Sequence, residues 1–244
     1  MTFAEFIELG FIGKMLQSNT LDTTTQALWM LVAVILCIAA PYFLGSINFA
    51  IVISKSIYKK DIRDFGSGNA GATNMMRTFG KKTAIMTFGG DVLKALVSGV
   101  LGYALLGQYG AYIAGLFCIL GHMFPIYYRF KGGKGVVTTA ISILICNPFV
   151  FLILLLLFVI IVAFTKYISL GSVMCVLLYP VVLDRWEKIV NGWTPAYVIF
   201  PIIIAALVVF MHRENIKRLL NGTESKFSFK KSVDPSKQNS NESK

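Results

Sequence analysis

The chain has 244 residues, of which 56% are hydrophobic and only 14% charged, and its mean hydropathy is +0.69. A soluble domain is ~45–50% apolar and interleaves its charges with apolar positions, so this composition excludes an ordinary water-soluble fold. The net charge of +11 does not point to nucleic acid, because the basic residues abut apolar runs, as they do in the cytoplasmic loops of membrane proteins.

The first residues, Met1–Asn19, have no basic leader and no small-residue cleavage signal. Phe3, Phe6, Ile7, Phe11 and Ile12 form an apolar stripe at helical spacing, which predicts an interfacial helix within an N-terminal extension over 1–26. Apolar segments then follow at Ala27–Ser54, Thr83–Leu106, Ala111–Tyr128, Val136–Cys146, Phe149–Thr165, Ser169–Leu183 and Thr194–Met211. A bilayer crossing needs ~20 residues, so Val136–Cys146 is short. Asn147-Pro148 divides it from the next run, and proline is not tolerated in a helix interior without loss of a hydrogen bond. Two paired helices or one kinked span fit this stretch, and the pair is preferred.

The fold class predicted is an all-α integral membrane protein: a bundle of about seven transmembrane helices over 27–224, N-terminus outside and C-terminus cytoplasmic. With that topology nineteen of the 23 Lys and Arg residues fall inside, whereas only Lys14, Arg185 and Lys188 fall outside. A fused fourth span would move Lys166 and the tail outside and spoil the bias. The polar stretch 225–244 reads as a disordered cytoplasmic tail. Cys37, Cys118, Cys146 and Cys175 all sit in apolar runs without C-x-x-C spacing, and the only histidines are His122 and His212. Neither a metal site nor a cofactor is expected.

Three polar stretches carry the chemistry. In the loop from Asp61 to Lys82, Gly66, Gly68 and Gly71 alternate with Ser67, Asn69, Thr73 and Asn74, and Arg77 follows. Glycines let backbone N–H groups converge on an anion, the small side chains add donors, and a guanidinium fork suits phosphate. No G-x-x-x-x-G-K-[ST] pattern is present, so a nucleotide P-loop is not supported. In the second stretch, Lys131, Gly132, Gly133, Lys134 and Gly135 precede Val136–Cys146, where a helix N-terminus offers unpaired N–H groups to an anion. His122 reads more simply as a membrane-boundary histidine than as a catalyst. In the third, His212 and Asn215 share one helix face at i, i+3 spacing. Ser169 and Ser172 have the same spacing at another helix start, where serines are usually N-caps; Ser172, one turn further in, fits that role less well. Asp91 and Lys94 form an i, i+3 pair inside the second span, read as a structural ion pair supporting the first loop.

GSGNAGATNMMRTFGKK, GHMFPIYYRFKGGKG and HRENIKRLLNGTE, in this order, resemble the bacterial acyl-phosphate:glycerol-3-phosphate acyltransferase family. GSINFAIVISK, GGDVLKA and SLGSV support the resemblance, which spans roughly Pro41 to Glu224. It implies acyl transfer from a fatty acyl phosphate to the 1-hydroxyl of glycerol 3-phosphate, giving lysophosphatidic acid and phosphate at the cytoplasmic face of the cell membrane. It further implies that Ser67 and its glycine-rich turn bind the acyl-phosphate group. Arg77, Lys134, Ser172, His212 and Asn215 would hold glycerol 3-phosphate and the reacting groups. The H-x-x-x-x-D acyltransferase signature is absent, since Tyr127 stands five positions after His122. The rival reading, an organic-phosphate transporter, expects an internal repeat and a midplane site; no repeat is evident and the donors gather at one face.

Overall fold

The computed structural model describes residues 10–15, 22–192 and 196–227, all the regular structure of which is helical. Most of the expected N-terminal interfacial helix, the tail from 228 onward and the expected start of the last span at Thr194 lie outside the described residues. Within 10–15 the chain is helical, and Ile12 packs against Ala33, Cys37 and Leu106.

Helix α1 (Thr23–Ser46) starts where the Asp22 carboxylate accepts from the Thr24 and Thr25 N–H groups, each at 3.1 Å. The sequence reads one span through Ser54, but the helix breaks at Ile47–Asn48. A new helix, α2 (Phe49–Tyr58), begins there because the Asn48 side chain accepts from Ile51 N–H at 3.1 Å. Such a break frees carbonyls inside an apolar bundle, where each must find a donor. Lys94 supplies it: its Nζ reaches Gly45 O at 3.0 Å and Ile47 O at 2.9 Å. After α3 (Ala72–Phe79) comes α4 (Lys81–Met123), which reverses at Leu106–Gly107, where Gly107 takes φ +59°. The reversal is evident from Lys94 and His122, 28 residues apart, whose side chains meet at 2.8 Å; in a straight helix they would stand ~42 Å apart.

Helix α5 (Val136–Cys146) and helix α6 (Pro148–Thr165) are separate, as preferred from the sequence. Asn147 is extended and caps α6 by accepting from Val150 N–H, with Pro148 at the first helical position, where its missing N–H matters least. Helix α7 (Ile168–Asn191), helix α8 (Ile199–Met211) and helix α9 (Arg213–Leu220) complete the described bundle. Among the described residues, four helical stretches are long and apolar enough to cross a bilayer when α1–α2 and the two arms of α4 each count as one, and five if Ala196–Met211 and Arg213–Leu220, bent by 61°, are taken as one span. The main core joins the second arm of α4 to α5–α8 through Tyr112, Ile119, Ile143, Val150, Tyr179, Leu183 and Val208. On α6, Leu152, Leu156, Val159 and Phe164 are exposed, as an apolar helix facing lipid requires.

Candidate active site

The first glycine-rich loop is built around one amide. Asn74, 1% exposed, donates from Nδ2 to Phe65 O at 2.9 Å, Asn69 O at 3.1 Å and Ile62 O at 3.3 Å. Its Oδ1 accepts from Ser67 N–H at 3.0 Å. The chain can wrap this closely only because Gly66 takes φ +59° and carries no Cβ, which would overlap Asn74 Oδ1. Helix α3 then starts at Gly71 with no side-chain cap, and Ala72, Thr73 and, one turn on, Arg77 face a common cavity.

The second loop folds back onto the end of α4. Gly132 N–H donates to Met123 O and Gly133 N–H to His122 O, both at 3.1 Å. A Cβ at Gly132 would strike His122 O and one at Gly133 would strike His122 Nε2, so both glycines are required by close approach. His122 is buried, with Nδ1 beside Lys94 Nζ, which also pairs with Asp91 at 2.8 Å. This cluster ties the break after α1 to the loop that presents Lys134. The two glycine-rich loops are clamped together by Arg63. Its guanidinium grips Asp61 at 2.9 and 2.8 Å, and Nη1 donates to Tyr128 O at 3.1 Å and Lys131 O at 3.0 Å. The Arg63 hydrogen bond, with Lys55 adding to it, holds Asp61 well below the usual carboxylate range despite partial burial. Arg63→Lys keeps the charge but loses the fork. We expect kcat/KM to fall ~10–10²-fold through misplacement of the loops; wild-type kinetics would show that they hold their spacing without the clamp.

The third stretch arrives at the bend between α8 and α9. His212, 2% exposed, has Nδ1 2.8 Å from Val208 O. A carbonyl only accepts, so Nδ1 carries the proton and Nε2 is left with a lone pair. Asn215 Oδ1 accepts from Lys134 Nζ, across 81 residues of sequence. Its Nδ2 donates to Glu224 Oε1 at 2.6 Å. Ser169 is not an N-cap, because α7 begins at Ile168 after an uncapped Tyr167; instead its Oγ donates to Glu224 at 2.7 Å. Ser172 donates back to Ile168 O at 2.9 Å, so toward the cavity it offers lone pairs.

These groups share one cavity of about 870 Å³. Ser67, Asn69, Arg77, Lys134, His212, Asn215, Ser172 and Asp91 line it together with Gly66, Gly71, Thr73 and Asn74. Gly68 lines a smaller adjoining cavity of about 240 Å³, also reached by Ser67, Asn69, Lys134, Asn215 and Arg218. Lys131, Gly132, Gly133 and Lys94 line neither. Beyond its polar mouth the large cavity runs between α5, α6 and α7 over Val137, Ile141, Leu154, Phe158 and Val176. Burial, reinforced by Arg218, lowers the Lys134 ammonium to about 8. Sequence reasoning missed Arg218 and Glu224, and it read Ser169 as an N-cap. Arg218 continues the Asn215 face at i+3, which was a usable signal; Glu224 reaches the site only because the chain after α9 turns back.

The cavity thus joins a cation-lined mouth, onto which the uncapped starts of α3 and α5 open, to an apolar interior. Residues 35–222 match the family model described as glycerol-3-phosphate acyltransferase. A glycerol-3-phosphate acyltransferase of Finegoldia magna is 41% identical over 202 residues, covering 82% of this chain and 96% of the relative. One from Syntrophomonas wolfei is 44% identical over 189 residues, covering 78% and 94%. The crystal structure of PlsY, an integral membrane glycerol 3-phosphate acyltransferase in its glycerol 3-phosphate form, superposes with a TM-score of 0.72 at 35% identity over 80% of this chain and 96% of that one. The chain belongs to the glycerol-3-phosphate acyltransferase family and is an acyltransferase.

Proposed function

We propose that the chain transfers a fatty acyl group from an acyl phosphate to the 1-hydroxyl of glycerol 3-phosphate, releasing lysophosphatidic acid and inorganic phosphate. The observation that carries this reading is the amphiphilic cavity: Arg77, Lys134 and Arg218 stand at a polar mouth continuous with an apolar slot between α5, α6 and α7. The soluble phosphate enters the mouth and the acyl chain lies in the slot. The topology proposed is about seven spans with the mouth on the cytoplasmic side, supported by the crowding of Lys and Arg into the loops at that end.

An acyl phosphate is already activated, so the site must chiefly orient the hydroxyl and tolerate two phosphates at once. The hydroxyl oxygen bonds to the acyl carbon and the acyl–oxygen bond to phosphate breaks. The proton passes to His212 Nε2 or directly to a phosphate oxygen, and phosphate leaves. Ser172 donates to Ile168 O, and Ser169 to a Glu224 carboxylate that Asn215 and Arg218 also occupy, so neither is set up as a nucleophile. Ser67 Oγ is left as a donor to the acyl-phosphate group.

Purified protein given palmitoyl phosphate and labelled glycerol 3-phosphate is expected to make labelled lysophosphatidic acid with one phosphate per turnover. Phosphate uptake into liposomes without that product would favour a transporter. Because the protonated Lys134 binds the phosphate, kcat/KM for glycerol 3-phosphate is expected to fall as pH rises through about 8. A profile flat to pH 9.5 (roughly the outer end of such a titration) would remove Lys134 from the binding step.

A further inference from the structure

The segment after α9 turns back across the mouth of the site. Phe227 N–H donates to Lys166 O at 2.7 Å, and Arg77 Nη2 donates to Ser225 O at 3.4 Å. This fold inserts Glu224, whose side chain is 7% exposed, among the site residues. Oε1 accepts from Asn215 Nδ2 at 2.6 Å and Ser169 Oγ at 2.7 Å; Oε2 accepts from Arg218 Nε at 2.7 Å. A carboxylate in a site meant for phosphates is unexpected, since it repels both substrates.

We propose that Glu224 is a positioning residue: its carboxylate fixes the Asn215 amide and supplies the counter-charge that lets Lys134 stand between two arginines. The geometry carries this. An asparagine amide has one accepting and one donating side. With Nδ2 held by Glu224, Oδ1 must face Lys134, which is where the structure places it. The electrostatics act the same way. Lys134 is faced by Arg77 from α3, Arg218 from α9, His212 from the α8–α9 bend and Glu224 from the returning strap; α7 contributes only the neutral Ser169 and Ser172. Asp91 and His122 also line the cavity but are engaged with Lys94. Glu224 is thus the one carboxylate among the described groups acting on Lys134, and it opposes both arginines. Burial alone would push Glu224 up, but the hydrogen bonds from Ser169, Asn215 and Arg218 bring it below the usual carboxylate range, so it is charged whenever the enzyme works.

This inference rests on the proposed role of Lys134 in holding glycerol 3-phosphate. The test is the pH dependence of kcat/KM, paired with direct binding of glycerol 3-phosphate to the purified protein by calorimetry. Glu224→Gln removes the charge and keeps the shape. Its alkaline limb is expected to move down by ~1 pH unit, the size of a lost neighbouring opposite charge. KM at pH 8 then rises ~5-fold, while at pH 6.5 it stays within ~2-fold of wild type. Arg218→Gln removes a like charge, so its limb is expected to move up. Glu224→Asp, which keeps the charge but shortens the reach, should lose rate while leaving the limb in place. A uniform loss at every pH in E224Q would mean that Glu224 merely supports the fold, and overturns the proposal. An unmoved limb in R218Q overturns it as well, including the case in which E224Q fails to fold. If acyl phosphate is not turned over at all, the binding arm still reads the shift, so failure of the proposed reaction is distinguishable from failure of this inference.

Discussion

Lys134→Ala is expected to lower kcat/KM for glycerol 3-phosphate by at least ~10²–10³-fold, the range seen when a preorganised charged donor is removed from a water-poor site. Lys134 lines both cavities and precedes the uncapped start of α5, which opens on the larger of them. The same substitution should leave thermal stability unchanged or slightly raised. It relieves repulsion from Arg77 and Arg218 and leaves only Asn215 Oδ1 without its donor. A functional residue held against like charges shows this pattern of lost activity without lost stability. Lys134→Arg should not rescue, because a guanidinium fork is longer and planar and would displace the Asn215 amide. The checks are steady-state kinetics and a melting curve in detergent. A large drop in melting temperature with near-normal kinetics in the surviving protein would contradict the assignment.

Asn74→Asp is expected to be nearly as damaging for a different reason. The carboxylate can still accept from Ser67 N–H, but it presents a charge to Ile62 O, Phe65 O and Asn69 O, all of which now receive hydrogen bonds from Nδ2. Each unsatisfied buried group costs ~1–3 kcal/mol, so the loop should lose several kcal/mol. In a chain of this size each kcal/mol lowers Tm by ~2–4 °C, which gives a drop on the order of 10 °C. Activity should fall ~10²-fold or more, because Ser67 and the start of α3 lose their common frame. Asn74→Ala should act in the same direction with a smaller loss. Full activity in either variant would mean that the loop holds its shape without this amide.

These two residues show how far the sequence could be read. It brought Lys134, Asn74, Arg77, His212 and Asn215 into view through residue type and local spacing, and all five line the cavity. It could not separate donors facing the ligand from donors building the loop. Asn74 and the N–H groups of Gly132 and Gly133 serve the chain itself, which depends on where residues 62–69 and 122–123 come to lie. Helix starts at α5, α6 and α7 were close to those expected, because Gly135, Asn147-Pro148 and the apolar runs mark them locally. The break at Asn48 was not seen: an apolar run from Ala27 to Ser54 has no local signal strong enough to outweigh its hydropathy, and the partner that satisfies the freed carbonyls, Lys94, lies 47 and 49 residues away. Glu224 was missed for the same kind of reason. At the edge of a polar tail it looks solvated, and only the return of the chain toward Lys166 buries it.

Direct transfer within one cavity is the central claim, and isotope exchange tests it most directly. Palmitoyl phosphate is incubated with the purified protein and labelled inorganic phosphate, with and without glycerol 3-phosphate. If both substrates must occupy the cavity together, labelled palmitoyl phosphate does not form without the acceptor, and lysophosphatidic acid appears only when the acceptor is added. Labelled palmitoyl phosphate formed in the absence of glycerol 3-phosphate would reveal an acyl-enzyme and contradict the account.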